Sequence, residues 1–457
     1  MHPYLVANPS GTKLGVHMSG DTIFALSSGA PPAGVAVVRI SGSGVRFGLE
    51  TLVDSVTEPR RATLRSIRGG DGEVIDRALV LFFPGPASFT GEDVAELHIH
   101  GGRAVVAAVL SALGALHGFR AAEAGEFTRQ AFANQRVDLT QVEGLADLVA
   151  AETDTQRRQA LRQADGALGR LYEGWREQLI RARALIEAEL DFPEEDDIPG
   201  SASVQAWDTV TALEKEIVNH IADRRGERLR DGAEVVILGA PNAGKSSLLN
   251  AIARRDVAIV TPEPGTTRDL IEVRLDLAGL PVTLVDTAGL REAEGEIERE
   301  GIRRARERAG IADVVLWLVD ATASDIAPPP LPGALRVATK IDLIDSAAER
   351  RRVAALFDVC VSSVTGEGVN DLLRRLAERM AADVPPVETP LITRSRHRTA
   401  LLGCMEAIRS AIGGVADPVE LRAEELRRAS DALGRVTGRI DVEDLLDVIF
   451  REFCIGK

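Results

Sequence analysis

A glycine-rich segment that directly follows an apolar run constrains the fold of this chain more than any other feature. Residues 239–246 read GAPNAGKS and match the pattern GxxxxGK[ST], after the apolar run 234–238 and before a helical run. Such glycines let backbone N–H groups turn inward onto phosphates at the N-terminus of the following helix. We expect Lys245 to bridge the β- and γ-phosphates of a nucleotide and Ser246 to hold Mg²⁺. The other nucleotide contacts expected from this segment are Asn242, Ala243, Gly244 and Ser247.

The chain around this loop alternates short apolar runs with helical patterns. Uninterrupted runs of Val, Ile and Leu are typical of strands that are buried on both faces of a parallel sheet. The pattern predicts a nucleotide-binding α/β domain over residues 232–380, with the Pro-rich stretch 328–332 as a surface loop. The predicted strands are residues 234–238, 282–286, 313–320, 335–338 and 359–362.

Two further segments carry the expected metal and γ-phosphate contacts. The sequence Asp286-Thr287-Ala288-Gly289 closes an apolar run, so Asp286 can reach Mg²⁺ through water and the Gly289 amide can sense the γ-phosphate. Between this segment and the loop, Thr267 is the candidate for a second hydroxyl on Mg²⁺, ordered only when the γ-phosphate is present. A plain polar turn is the alternative interpretation around Thr267.

Guanine selectivity is expected from Thr339-Lys340-Ile341-Asp342, at the end of another predicted strand. The Asp342 carboxylate can accept hydrogen bonds from guanine N1–H and the 2-amino group, whereas adenine would leave it unpaired. GTPases usually carry Asn where this chain has Thr339, and one hydroxyl there replaces an amide. The segment Ser362-Ser363-Val364 offers a backbone N–H to guanine O6.

The residue that orients the attacking water is less evident. Ras-type proteins place a Gln just after the glycine that corresponds to Gly289, but Leu290 stands there in this chain and cannot orient water. The help must come from a distant carboxylate, a bound cation or a partner. Glu298 is one candidate, although charge runs such as residues 296–300 are usually solvated helix faces.

The residue pattern of the remaining chain differs on the two sides of this domain. Residues 20–136 predict a mixed α/β domain, with strands at 34–40, 78–83 and 94–100 and a helix at 104–116. Residues 138–190 and about 203–225 predict helices, with a turn at 191–193. A last helical region, about 391–453, is too small to bury its own core, so we expect it to dock on the earlier helices. The nucleotide domain is then an insertion into a discontinuous helical domain.

Bulk properties exclude several classes of protein. The net charge of −15 argues against generic nucleic-acid binding, so any RNA contact must use a local basic patch or a partner protein. The three cysteines lack metal-ligand spacing, which favours a reducing cytoplasm. No apolar run approaches the roughly 18 residues that span a bilayer, and residues 1–20 lack the pattern of a secretory signal. Residues 1–19 are expected to be a disordered extension, with Met18 as an alternative start.

Several motifs outside the nucleotide loop are more specific, and with them the chain resembles the MnmE (TrmE) family of tRNA-modification GTPases from about Asp21 to Lys457. The marks are DTI at 21–23, VRISG at 38–42, FTGED at 89–93, GEFT at 125–128, DFPEE at 191–195 and FCIGK at 453–457.

This resemblance implies a fold and a set of functional residues. The implied architecture is multidomain α/β plus all-α: an N-terminal α/β domain that dimerises and binds a tetrahydrofolate derivative, a discontinuous helical domain and an inserted Ras-like P-loop GTPase domain. The implied folate-site residues are Arg39, Glu96, Arg136, where the family often has Lys, and Lys457. The implied K⁺ ligands are Asn242, Thr261, Glu263 and Thr266, of which Thr261 and Thr266 also contact GTP. The implied catalytic residues are Glu298, as the carboxylate that orients the attacking water, and Arg268, in the switch loop. Cys454 matches a family position linked to the modification chemistry, and a buried structural thiol is the equal alternative. The domains expected are 1–19, 20–136, 137–231, 232–380 and 381–457.

The resemblance also implies an activity and partners. We expect a cytoplasmic, K⁺-activated, Mg²⁺-dependent GTP hydrolase that forms a homodimer. With the FAD- and NADH-dependent protein MnmG, in a heterotetramer or larger complex, it would place a (carboxymethyl)aminomethyl group on C5 of the wobble uridine of tRNA. The carbon would come from 5,10-methylene- or 5-formyl-tetrahydrofolate. The alternative is a switch GTPase for ribosome assembly; a plain ATPase is disfavoured by Asp342.

Overall fold

The computed structural model describes residues 20–191, 202–255, 257–259, 272–286, 312–323, 332–381, 389–416, 418–440, 449–450 and 456. The chain divides into two compact units, Met1–Ala146 with Gly434–Lys457, and Asp147–Leu433. The predicted extension at residues 1–19 lies outside the described residues. So do the predicted site residues Thr261, Glu263, Thr266, Thr267, Arg268, Thr287, Ala288, Gly289, Glu298, Cys454 and Lys457.

The first unit is built on a six-stranded sheet. Its strands are β1 (Thr22–Leu26), β2 (Ala33–Ser41), β3 (Thr63–Arg68), β4 (Val74–Phe83), β5 (Val94–Gly101) and β6 (Phe119–Ala121). Its helices are α1 (Val45–Val53), α2 (Arg103–Gly114) and α3 (Glu126–Ala133).

The strand order is β3-β4-β5-β2-β1-β6, and all neighbouring strands are antiparallel except β1 and β6. Because side chains alternate along a strand, one face is apolar and carries Val38, Val80 and Leu97, which are buried in one cluster with residues of α1 and α2. The other face carries Arg39 and Glu96, side by side on β2 and β5. The fold thus leaves charged groups on the second face of the sheet.

Helices follow this sheet along the chain. They are α4 (Leu139–Ala150), α5 (Asp154–Ala164), α6 (Ala167–Asp191), α7 (Ala202–Ala222) and α8 (Arg225–Asp231). The helical stretch predicted for 138–190 is therefore three helices. At Thr153 the side chain accepts from the Gln156 backbone N–H while the Gln156 side chain accepts from the Thr153 N–H, and this capping box starts a new helix. Gly166, with φ of 81°, stands at the second break.

A second six-stranded sheet lies in the second unit. Its strands are β7 (Ala233–Gly239), β8 (Glu272–Leu277), β9 (Leu280–Asp286), β10 (Val314–Asp320), β11 (Leu335–Thr339) and β12 (Val359–Cys360), in the order β12-β11-β10-β7-β9-β8. All neighbours are parallel except β8, which is antiparallel to β9. The described helices of this region are α9 (Lys245–Ala253), α10 (Ala347–Leu356) and α11 (Val369–Met380).

The last two described helices, α12 (Ser395–Gly413) and α13 (Val419–Thr437), follow this sheet. Helix α12 packs along α7, with an ion pair of 2.6 Å between Arg409 Nε and Glu214 Oε1. A half-buried pair, Arg398 Nη2 to Glu227 Oε2 at 2.6 Å, joins α12 to α8. Helices from before and after the sheet thus pack together, as expected, while the domain boundaries themselves stay predictions.

Candidate functional site

The phosphate-binding loop connects the end of β7 to the start of α9. Asn242 and Gly244 both have left-handed backbones, with φ of 64° and 86°, and the glycine reaches this conformation without steric cost. At Gly239 a Cβ would lie 2.5 Å from the Leu318 carbonyl oxygen, so only glycine fits beside β10. The sequence thus places glycine where the turn and the sheet demand it.

The Lys245 ammonium is held inside this loop. Its Nζ donates to the carbonyl oxygens of Gly239, at 2.9 Å, and Ala240, at 3.0 Å. Burial lowers the pKa of Lys245, and the nearby charge of Asp286 opposes that shift. Since a buried cation is costly without a counter-charge, this site is suited to receive an anion.

Ser246 and Asp286 meet at the adjacent strand end. The Ser246 hydroxyl donates to Asp286 Oδ2 at 2.8 Å, and Asp286 has no exposed surface. Strands β7 and β9 are parallel neighbours, so their carboxyl ends bring the loop and this carboxylate together. A hydroxyl and a carboxylate are oxygen ligands of the kind that Mg²⁺ prefers. Both side chains therefore fit the predicted metal site.

Thr339 ties the predicted guanine segment to the loop. Its buried hydroxyl donates to the carbonyl oxygen of Ala243 at 2.7 Å, with the Val319 carbonyl oxygen also near at 3.2 Å. Asp342 lies three residues further on, half-buried in a 3₁₀ turn at Ile341–Leu343. The hydroxyl that replaces the usual amide is thus engaged with the phosphate-binding loop.

Lys340 has a partner that the sequence did not reveal. It has a left-handed backbone, with φ of 59°, and its Nζ lies 2.7 Å from Asp320 Oδ2. Burial raises the pKa of Asp320, but hydrogen bonds from Lys340 and Thr322 outweigh that effect and hold the pKa below its usual value. The only available signal was the position of Asp320 at the carboxyl end of a buried strand.

The last predicted guanine contact is a tight loop after β12. The buried Ser362 hydroxyl accepts from the backbone N–H groups of Val364, at 3.2 Å, and Thr365, at 3.1 Å. Ser363 is half-buried and Val364 is 85% exposed, beside the strand end that carries Thr339. At Gly368, with φ of 74°, a Cβ would lie 1.8 Å from the Cys360 carbonyl oxygen, which fixes the end of this loop.

A second polar cluster lies on the sheet of the first unit. Arg39 and Glu96 are directly opposite on β2 and β5, and Glu96 Oε1 accepts from Arg39 Nε at 3.1 Å and Nη2 at 2.9 Å. The guanidinium carbon lies 5.8 Å from the Phe89 ring centroid and 5.7 Å from that of Phe127. Glu96 Oε2 is 3.3 Å from His98 Nε2. The arginine is thus held by both charge and aromatic rings.

Of the other two predicted folate-site residues, Arg136 and Lys457, only Arg136 is described. Arg136 is exposed just after α3. Lys457 lies outside the described residues, but its neighbour Gly456 accepts a 2.7 Å hydrogen bond from Ser27 Oγ through its carbonyl oxygen. A Cβ at Gly456 would lie 2.2 Å from the Leu26 carbonyl oxygen. Gly456 therefore lies against the end of β1, and Ala25 of that strand pairs with Arg39 of β2.

Comparison with known proteins identifies the family of the chain. The family model for the MnmE helical domain matches residues 139–454, and the model for the GTP-binding protein TrmE N-terminus matches residues 22–136. The chain belongs to the MnmE family. The tRNA modification GTPase MnmE of Brucella anthropi is 55% identical over 443 residues, which cover 96% of this chain and 98% of that protein. MnmE of Mesorhizobium japonicum is 56% identical over 447 residues, 96% of this chain and 100% of its own.

Solved structures of other GTP-binding proteins align with parts of the chain. Aquifex aeolicus Era bound to GDP and AlF₄⁻ aligns over 38% of this chain and 66% of its own at 24% identity, with a TM-score of 0.26. A score this low adds nothing to the family match.

Within the described residues, none of the helices combines the length and the hydropathy that a membrane span requires.

Proposed function

We propose that this chain hydrolyses GTP in the cytoplasm and, with the FAD- and NADH-dependent protein MnmG, forms the 5-carboxymethylaminomethyl or aminomethyl group on the wobble uridine of tRNA. The observation that carries the proposal is the joint placement of Lys245, Ser246 and Asp286 at the strand ends of a P-loop sheet, in a chain that belongs to the MnmE family. Curated relatives carry the name tRNA modification GTPase.

The loop residues support nucleotide binding directly. In the structure, Lys245 Nζ donates to two carbonyl oxygens of its own loop. A triphosphate offers charged acceptors in their place, and charge-assisted hydrogen bonds are about twice as strong as neutral ones. Ser246 and Asp286 would hold Mg²⁺, which neutralises phosphate charge when it is bound. Thr339 keeps the Ala243 peptide in place, while Asp342 selects the purine.

Several parts of the proposal rest on the resemblance to the MnmE family, carried over by sequence position. Glu298 would orient the attacking water, and Arg268 would position the switch loop that carries Thr267. Asn242, Thr261, Glu263 and Thr266 would coordinate K⁺ where the nucleotide domains of a homodimer pair, so that hydrolysis depends on both K⁺ and pairing. Of these residues only Asn242 is described, and its left-handed backbone lies within the phosphate-binding loop.

The first unit would hold 5,10-methylene- or 5-formyl-tetrahydrofolate, which supplies one carbon. Arg39, Arg136 and Lys457 provide cations for the carboxylates of a folate, and Glu96 can accept from the amide-like donors of a pterin. The exposed Arg136 and the aromatic rings around Arg39 support this assignment. Cys454 would take part in the modification chemistry near the same C-terminus.

The decisive experiment is nucleoside analysis of tRNA from cells that lack the protein. We expect the C5 group of the wobble uridine to disappear, to return when the wild-type chain is supplied, and to stay absent with Lys245→Ala. The matched control is Lys215→Ala, since Lys215 is an exposed lysine of α7 far along the chain from the loop. Retention of the modified nucleoside in the deletion strain would refute the proposal and favour a ribosome-assembly switch.

A further inference from the structure

The FTGED motif at residues 89–93 has no role in the nucleotide site, yet its turn contacts both arginines of the proposed folate site. Phe89 is one of the two rings over the Arg39 guanidinium. At Gly91, whose φ is 81°, a Cβ would lie 3.3 Å from Arg136 Cγ and 2.9 Å from Asn134 Cβ. The turn therefore lies between the strand that carries Arg39 and the helix end that carries Arg136.

The turn is fixed on the strand side by buried hydroxyl groups. Thr90 is fully buried, and its Oγ1 lies 2.8 Å from Ser41 Oγ at the end of β2, two residues after Arg39. The same oxygen accepts from the Glu92 backbone N–H at 3.3 Å. The Ser88 hydroxyl closes the turn by donating to the Glu92 carbonyl oxygen. Asp93 then accepts from Arg46 Nε at 2.8 Å and from the Gly85 N–H at 2.9 Å.

The helix side is fixed by the way α3 ends. Gln135 has a left-handed backbone, with φ of 56°, and the Arg136 N–H donates back to the Ala131 carbonyl oxygen at 2.8 Å. This is the six-to-one hydrogen bond of a Schellman helix end, and it fixes the backbone from which the Arg136 side chain leaves. The stem of that side chain then passes over Gly91.

One side chain joins the two sides. The Asn134 amide donates from Nδ2 to the Thr90 carbonyl oxygen at 2.7 Å. Burial raises the pKa of the half-buried Glu92 carboxyl group, and the Asn134 amide opposes that rise. Asn134, which caps the end of α3 two positions before Arg136, thus ties the turn to that helix end.

We propose that Asn134 is a positioning residue of the folate site, which acts by holding the 88–92 turn against the Arg136 stem so that Arg136 and Arg39 face the same ligand. The inference rests on the proposed function, because it needs a folate to be bound there. It gives the FTGED motif a physical role. Gly91 leaves room for the stem of the Arg136 side chain, Thr90 supplies the carbonyl oxygen that accepts from Asn134, and the Phe89 ring packs against Arg39.

The test measures binding of 5-formyltetrahydrofolate to the full chain by calorimetry. Asn134→Ala should weaken binding about fivefold, the size expected for one hydrogen bond between neutral groups. Asn134→Asp has the same shape but its ionised carboxylate cannot donate to the Thr90 oxygen, so it should bind no better than the alanine variant. Gln135→Asn, which accepts the same left-handed backbone, is the matched control and should bind like wild type.

A double-mutant cycle separates positioning from general damage. If Asn134 acts through Arg136, then Asn134→Ala should change binding by less than about 1.5-fold once Arg136 is Ala, whereas independent effects would add. Thermal unfolding followed by circular dichroism should be unchanged in all variants, which shows that the unit carrying the substitutions is folded, and GTP affinity should be unchanged as well. Full additivity, or an Asn134→Ala variant that binds like wild type while Arg136→Ala does not, would overturn the inference. Absence of folate binding by the wild-type chain would instead refute the proposed folate function itself.

Discussion

Replacing Thr339 by valine tests how the predicted guanine segment supports the phosphate-binding loop. Valine keeps the shape of threonine but removes the hydroxyl that donates to the Ala243 carbonyl oxygen at 2.7 Å. A peptide bond is planar and trans, so the Gly244 N–H points opposite to that carbonyl group, away from Thr339. Holding the carbonyl group therefore also fixes the direction of an N–H group in the phosphate-binding loop.

The size of the effect follows from burial. Thr339 is 1% exposed, and removal of a buried donor that leaves its acceptor unsatisfied costs about 1–3 kcal/mol. With about 1.4 kcal/mol of this expressed in binding, GTP affinity should fall roughly tenfold. Thr339→Ser retains the hydroxyl and should stay within about threefold of wild type, since it loses one methyl group.

The assay is a fluorescence titration with a labelled guanine nucleotide, together with thermal unfolding of each variant. We expect the valine variant to bind weakly while the serine variant binds nearly as wild type does. If the valine and serine variants both bind as tightly as the wild-type chain, the hydroxyl does not organise the loop. If both weaken equally, packing of the threonine methyl group, and not the hydrogen bond, is responsible.

Three other perturbations give distinct outcomes. His220 stacks edge-on against Tyr172 and Trp175, and burial lowers its pKa from 6.5 to about 4. As the pH falls from 6.5 toward 4, His220 is protonated in the unfolded chain but not in the folded chain, so the folded state loses stability. Lowering the pH from 7 to 5 should therefore reduce the free energy of unfolding of the helical region by about 2 kcal/mol. His220→Phe should remove that part of the pH dependence in urea unfolding followed by tryptophan fluorescence, and an unchanged dependence would assign it to other groups. Gly456→Ala places a Cβ 2.2 Å from the Leu26 carbonyl oxygen at φ of 102°, so it should displace the neighbouring Lys457. Loss of one charged hydrogen bond should weaken folate binding about tenfold without changing GTP affinity. Equal folate affinity would remove the C-terminus from that site. Glu298→Ala should keep GTP affinity but lose most K⁺-stimulated hydrolysis, about a hundredfold as for a positioned acid–base group, and unchanged turnover would remove Glu298 from the mechanism.

The sequence predicted the nucleotide sheet well because its central strands are buried on both faces. The apolar runs 282–286 and 335–338 correspond to β9 and β11. The edge strand β8 was missed, since its burial alternates along Glu272–Leu277 and leaves no continuous apolar run. In the first unit β1, β3 and β6 were missed as well, and they are short or lie at the edge of the sheet.

The candidate site was predictable where its chemistry lies in one continuous motif. Lys245 and Ser246 follow directly from the glycine pattern, and Asp286 follows from its position at a strand end. Contacts between residues far apart in the chain could not be predicted, because no local pattern encodes them. Examples are the bond from Thr339 to Ala243, the pair of Lys340 with Asp320, and the bond from Asn134 to Thr90.

Competition between GTP and ATP for the purified chain tests the central claim most directly. Asp342 can accept two hydrogen bonds from guanine and none of that pair from adenine, so we expect GTP to displace a bound labelled guanine nucleotide at concentrations at least about a hundredfold lower than ATP. Asp342→Ala should narrow this gap, whereas Asp345→Ala, an exposed aspartate three residues later, should not. Equal displacement by GTP and ATP, or displacement by neither, would contradict the account.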